Sequence, residues 1–212
     1  VNFIYDPSLV LYLPLYELDG NSIVSRDACG HLSSVNGALW RPYGRYFDGI
    51  DDYIEAAIAE LNFTSEDFSI EAWFKVAQVG ADQVIFCRGE YQVGGYYFYV
   101  HSGNYLTFIT NQAGAAQSSG SSAFVAVDTW YHTVVTRSGA SVKIFVNGVE
   151  DTAAAGSHTD PVSSALTVKV GISWTNAWGD YKGNIGEIRI YNRVLTPQEI
   201  QQNYLATKWR YR

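Results

Sequence analysis

Short runs of alternating apolar and polar residues recur along nearly the whole chain, each bounded by Gly, Asn, Asp or Ser. No other feature constrains the fold as much, because a period of two is the mark of a half-buried strand. Residues 68–75 (FSIEAWFK) set Phe68, Ile70, Ala72 and Phe74 against Ser69, Glu71, Trp73 and Lys75. Comparable strand-like runs cover residues 10–15, 83–88, 96–100, 105–110, 123–127, 131–137, 141–146 and 166–171. Ser138-Gly139 joins two of them, and Asn147-Gly148 follows. Asn-Gly is a strong hairpin signal, since both central residues of a type I′ turn need positive φ. Strands at this spacing predict a sandwich or a barrel.

Helix is predicted only at the end of the chain. Ile188 and Ile190 alternate with Glu187, Arg189 and Tyr191, and Asn192-Arg193 then stops the strand. Thr196-Pro197-Gln198-Glu199 opens a helix: Thr suits the N-cap, Pro the first helical position, and Glu three residues on completes a capping box. Residues 56–61 have room for one uncapped turn, and the polar tract 112–122 (QAGAAQSSGSS) reads as a flexible loop between strands. No repeat or linker divides the 212 residues, so residues 1–212 are expected to form one all-β domain.

The net charge of −7, with no cluster of Lys or Arg, argues against nucleic acid as a partner. No apolar run approaches the roughly 20 residues of a membrane-spanning helix, so membrane insertion is not expected. The chain opens at Val1 without a leader-like segment and contains no Met, as an excised or processed piece would. Cys29 lies in a polar loop and Cys87 at the end of an apolar run; two cysteines do not make a disulfide framework, and both are expected free.

Several stretches, in order, resemble laminin G-like domains of the concanavalin A-like lectin/glucanase superfamily. They are residues 12–31 (YLPLYELDGNSIVSRDACGH), 44–55 (GRYFDGIDDYIE), 63–75 (FTSEDFSIEAWFK), 130–151 (WYHTVVTRSGASVKIFVNGVED) and the final strand and helix. The resemblance implies a two-sheet antiparallel β-sandwich, a concanavalin A-like jelly roll, with one short C-terminal helix. It says little about activity, because this superfold hosts lectins, adhesion modules, glycosidases and lyases. By the same resemblance, a structural calcium between the opening strand, the Phe-Asp-Gly loop and the last strand would take Asp19, Asp48, Asp51 and Asp52. Relatives often carry Asp where this chain has Gly186, which removes one plausible ligand. The plainer reading of Asp19-Gly20 and Asp48-Gly49 is a pair of turns. His132 matches a histidine that recurs in non-catalytic relatives, where its role is structural.

Catalysis finds little support in the residues. A glycosidase needs two carboxylates about the scissile bond, and no Glu-x-Asp-x-x-Glu arrangement is present. A lyase-like His–Tyr pair could be drawn only from His101 with Tyr97 or Tyr99. No His/Cys cluster shows the spacing of a zinc site. Sugar binding fits better. Residues 171–183 (GISWTNAWGDYKG) put Trp174, Asn176, Trp178, Asp180 and Tyr181 in one polar loop, with Tyr91 as a possible extension. Aromatic faces stack on sugar C–H surfaces while Asp and Asn bond the hydroxyls. In relatives, the aromatic at the position of Tyr181 packs inward. The leading expectation is a non-catalytic carbohydrate-binding or adhesion module, extracellular or on a cell or virion surface. Its partner is a glycan or glycosylated surface, with protein through the same loops as a possible target. The alternative is a structural or protein-interaction domain of a cell-surface or viral assembly, and a glycoside hydrolase or polysaccharide lyase comes last. Asn62-Phe63-Thr64 is an N-glycosylation sequon, meaningful only in a secreted eukaryotic protein.

Overall fold

The computed structural model describes residues 6–175 and 178–212. Among the described residues the strands form two antiparallel sheets, one of eight strands and one of nine, followed by the helix Pro197–Thr207. The predicted sandwich is therefore present. Between the sheets lies the main core, in which Phe47, Phe68, Phe74, Phe86, Phe98, Phe108, Ile185 and Ile188 are fully buried.

The centre of the eight-stranded sheet is the last strand, Lys182–Tyr191. One edge pairs along its length with Phe68–Val76. The other edge is divided: Gly44–Asp48 pairs with its first half and Leu9–Leu13 with its second. The alternation of residues 68–75 holds for the core face, yet the opposite face is buried too, with Glu71 and Trp73 shielded from solvent. The reason is the C-terminal helix, which lies over that face. Its capping box is formed as the sequence predicts, and Ile200 packs among Val134, Phe145, Tyr191 and Leu195. Burying an isoleucine of this kind stabilises the docked helix by about 2 kcal/mol.

Beneath the helix runs a row of buried charges. Glu71 accepts hydrogen bonds from Arg189 at 3.0 Å, from His132 at 3.0 Å and from Asn203 of the helix at 2.8 Å. Burial pushes the Glu71 carboxyl up, but Arg189 and His132 outweigh that and hold it at about 2. His132 is thus a strut between neighbouring strands. Arg189 also pairs with Glu187 at 3.2 Å. There burial dominates and the Glu187 carboxyl is raised.

Gly186 has a steric explanation. The ladder to Phe68–Val76 skips it, leaving a bulge between Ile185 and Glu187. A Cβ at this position would come within 2.3 Å of the Tyr211 ring. Tyr211 in turn stacks on Trp73 with centroids 4.4 Å apart. Glycine here makes room for a C-terminal aromatic lock.

The nine-stranded sheet corrects two readings of the sequence. The tract taken as a flexible loop forms the strand Ala115–Ser121, paired residue by residue with Leu106–Gln112. Its Ala, Ser and Gly residues have little strand preference of their own, so cross-strand pairing after a turn at Gly114 (φ 75°) decides. Conversely, residues 123–127 are not strand; they cross the end of the sandwich, with Val125 plugging the core. Residues 155–167 close the other end. There His158, 3% exposed, lies within 2.9 Å of both Thr110 Oγ1 and Ser119 Oγ. The small Ser119, opposite Phe108 in the ladder, leaves space for that imidazole. Asn62 of the sequon brackets the same loop, donating to Ser163 Oγ at 2.7 Å and accepting from the Ser164 N–H at 2.9 Å. Cys29 is exposed, Cys87 is buried, and both are unpaired.

Measurable consequences follow from Gly186 and His158. Gly186→Ala should lower stability by about 1–3 kcal/mol, an overpacking cost, and that cost should vanish when Tyr211→Ala removes the ring. Urea titrations of the four proteins decide, and an equal cost in both backgrounds would refute the account. His158 titrates at about 4, because burial and the nearby Arg137 charge both disfavour the imidazolium, against 6.5 in an ordinary histidine. Its contribution to stability is intact above pH 6.5 and is lost as the pH falls towards 4, since the unfolded chain takes up the proton first. Between pH 7 and pH 4.5 the wild type should lose about 2 kcal/mol more than His158→Gln. Parallel losses in the two proteins would assign the pH dependence elsewhere.

Candidate functional site

The strands Gly94–Val100 and Leu106–Gln112 send alternate residues to opposite sides of the nine-stranded sheet. Tyr96, Phe98, Leu106 and Phe108 enter the main core. Tyr97, Tyr99 and Ile109 emerge on the outer face, where they cluster with Val84 and Cys87. Such a face would be costly to leave in water, and the loop after Val168–Val170 folds back to cover part of it. The loop is pinned to the sheet where the Gly179 carbonyl accepts the Val84 N–H at 2.8 Å.

Trp178 lies flat on Tyr97, centroids 5.3 Å apart and planes at 25°, and presents its edge to Tyr99 at 5.5 Å and to Tyr91 at 6.2 Å. Trp174 sits elsewhere on the loop. Its indole N–H donates to the Thr167 carbonyl at 2.9 Å, and the Lys169 ammonium lies 4.2 Å above its ring. The two tryptophans are therefore half-buried and packed on the sheet, where the sequence reading expects an open platform. Asn176 lies outside the described residues. Tyr181 is 1% exposed, edge-on to Phe47 with its hydroxyl donating to the Asn184 carbonyl, so it presents no surface to a ligand.

Beside Trp178 the outer face opens into a cavity of about 240 Å³. Its walls are aromatic: Tyr91, Tyr99, His101 and Tyr105, the last two stacked at 4.5 Å. Ser118, Gly120 and neighbouring small residues of Ala115–Ser121 form its floor. A Cβ on Gly120 would touch the Tyr105 ring at 3.4 Å, so the absence of side chains in this tract is what hollows the site. Ser118 escapes sequence reasoning because its strand looks like a loop, and Tyr105 because its partners are distant in the chain. The hydroxyl of Tyr97 donates to the Gly89 carbonyl at 2.8 Å, and burial raises the Tyr99 phenol. The residues lining the cavity include no Asp or Glu.

Acids gather at a separate point. Ligand oxygens of Asp48, Asp51 and Asp52 lie within 4.8 Å of one another. Two of these acids also serve turns: Asp52 accepts the Asp48 N–H and Asp48 the Ile50 N–H, both at 2.8 Å. Burial, together with Asp48 and Asp51, raises the Asp52 carboxyl. The same influences raise Asp180, whose Oδ1 is buried without a hydrogen-bond partner. Asp180 is thus near enough to feel Asp48 and Asp51, and it does not line the aromatic cavity. Asp19 is drawn away from this group by Arg26, 3.2 Å distant. A second grouping, Asp27, Cys29 and His31, also comes within 4.8 Å, which their spacing does not signal. Both Asp27 oxygens there already accept backbone N–H groups, from Tyr12, Cys29 and Gly30.

Comparison with known proteins places these features in context. A family profile described as the concanavalin A-like lectin/glucanases superfamily matches residues 48–201. Compared by sequence with curated proteins, the chain finds no match. Among solved structures it is similar to domain 4 of AbnA, a GH43 extracellular arabinanase from Geobacillus stearothermophilus, in complex with arabinotriose. That match has 17% identity and a TM-score of 0.72, and it covers 92% of this chain and 97% of that one. It is also similar to Trypanosoma rangeli sialidase in complex with sialic acid, at 16% identity and TM-score 0.72, over 97% of this chain and 34% of the sialidase. The botulinum neurotoxin serotype D binding domain matches at 16% identity and TM-score 0.72, over 95% of this chain and 51% of that one. The chain therefore spans about a third of the sialidase and about half of the toxin domain. At these identities the likeness concerns the fold.

Proposed function

The chain belongs to the concanavalin A-like lectin/glucanases superfamily, and from that footing we propose that it is a non-catalytic carbohydrate-binding or adhesion module acting outside the cell. Its glycan seat is the cavity on the outer face of the nine-stranded sheet. The observation that carries this reading is the wall of tyrosines beside Trp178, set over a floor of small polar residues. Ring faces and hydroxyls suit the C–H surfaces and hydroxyls of a sugar, and a concave site with few polar groups is the usual form of a small-ligand seat. The arabinotriose complex of the arabinanase domain, matched over nearly its whole length, agrees with a glycan partner. Hydrolysis would need a pair of carboxylates, and the cavity lining supplies none. A protein-binding role through the same loops is the second reading, supported by the likeness to a toxin binding domain.

Calcium belongs to the same proposal as a brace for the loops. Asp48, Asp51 and Asp52 form an all-oxygen donor set of the kind that Ca²⁺ takes. The partnerless Asp180 Oδ1, on a carboxyl raised by burial and by its acidic neighbours, fits as a further donor. A bound cation would offset their mutual repulsion and tie the Trp178 loop to the strand Gly44–Asp48. Asp19, held by Arg26, is left out of this set.

On a glycan array the wild type should bind at least one neutral oligosaccharide, and Tyr91→Ala/Tyr105→Ala should weaken it at least about tenfold, a loss of about 1.4 kcal/mol. No glycan bound, or equal binding by the variant, would leave the protein-interaction reading standing. Calcium should raise the melting temperature of the wild type by several degrees at about 100 times its Kd. Asp51→Asn/Asp180→Asn should abolish the rise. A melting temperature indifferent to both calcium and chelator would remove the ion from the proposal.

A further inference from the structure

A second cavity, of about 360 Å³, opens on the opposite side of the molecule, over the eight-stranded sheet at the end of the helix. Trp73, Trp130, Tyr204 and Tyr211 line it. The rings interlock: Trp73 stacks on Tyr211 at 4.4 Å and lies 5.8 Å from Tyr204, and Trp130 meets Tyr211 at 4.8 Å. Trp73 is anchored by donating its N–H to Thr207 Oγ1 at 2.8 Å. Trp130 and Tyr204, both half-buried, keep ring surface open to the cavity.

The rim is cationic. Lys75 Nζ sits 5.6 Å from the Trp130 ring centroid, Lys208 Nζ sits 5.4 Å from that of Tyr204, and Arg212 completes the lining. Among the described residues, none of these three cations forms an ion pair with a carboxylate, although acids outnumber bases in the chain. The helix C-terminus accounts for Lys208, where a cation is favoured by the dipole. It does not account for Lys75, which comes from a strand. Asn147 adds a donor: its Oδ1 accepts the His132 N–H at 3.1 Å, so the amide NH₂ is left for a ligand.

From this geometry we propose that the second cavity binds an acidic saccharide, with a sugar ring against Trp130 and its carboxylate held by Lys75, Lys208, Arg212 and Asn147. Aromatic faces accept the C–H side of a ring, and ammonium groups held over aromatics, with a guanidinium beside them, are matched to a carboxylate. The site is independent of the outer-face cavity, which has no cation in its lining.

Calorimetry with tetragalacturonate as the probe tests the proposal. The wild type should bind it, and Lys208→Gln/Arg212→Gln, which changes only exposed side chains, should weaken binding at least about tenfold. Salt at about 0.5 M should weaken it several-fold, because exposed charges are screened. The methyl-esterified tetramer should bind at least about tenfold less tightly. Tyr91→Ala/Tyr105→Ala should bind tetragalacturonate like the wild type, which separates this site from the neutral-glycan site. No binding, equal binding by the Lys208/Arg212 variant, or equal binding of the methyl ester would overturn the proposal. So would penta-glutamate binding as tightly as the saccharide, since the surface would then recognise acidic peptide by charge alone.

Discussion

Backbone pairing along Lys182–Tyr191 is the constraint on which the rest of the molecule depends. This strand bonds to Phe68–Val76 on one edge and to both Gly44–Asp48 and Leu9–Leu13 on the other. The beginning, middle and end of the chain thus meet in one ladder. Every N–H and C=O buried there needs a partner, so each of these segments is held in register by the others. The helix and tail that follow depend on the strand as well, because Arg189 and Glu187 from its outward face meet Glu71 and His132 below the helix. Loss of one member would strand a buried charge, which costs far more than the pair gains.

That same closure sets out two surfaces of different character. On the nine-stranded sheet, aromatic side chains rise from the middle strands while an Ala, Ser and Gly strand beside them stays low, and the difference in height makes the cavity. On the eight-stranded sheet the C-terminal tail brings tyrosines against Trp73, with cations around them that form no ion pair among the described residues. One face therefore offers neutral hydroxyl and ring contacts, and the other offers charge. Under the proposed function, the two faces would tell a carboxylated chain from a neutral one by the side on which it lands.

Much of the fold is legible in the residues. The alternation at Phe68–Val76, the Asn147-Gly148 turn with both residues at positive φ, and the capped helix at Thr196 stand where local pattern places them. These are features decided within a few residues of chain. The site is less legible. Trp174 and Trp178 look exposed in a polar loop, but the outer face of the sheet needs cover and takes them. Asp180 looks like a sugar ligand beside them, yet it is absent from the aromatic cavity and feels the charges of Asp48 and Asp51. Gly186 looks like a lost ligand, whereas its meaning lies 25 residues onward in the ring of Tyr211.

The sequence by itself determined the strand periodicity and the hairpin and cap positions, because each rests on short-range sterics and hydrogen bonding that the chain carries locally; the superfamily came from the resemblance of its ordered motifs. Only the tertiary structure decided that the Ala115–Ser121 tract is a strand, that its smallness hollows a cavity beneath Tyr105, and that Lys208 and Arg212 line one aromatic pocket with Lys75 beside its Trp130 wall. The physical reason is distance along the chain. A sheet brings together residues more than a hundred positions apart, and whether an aromatic is platform or packing depends on which distant surface it must cover.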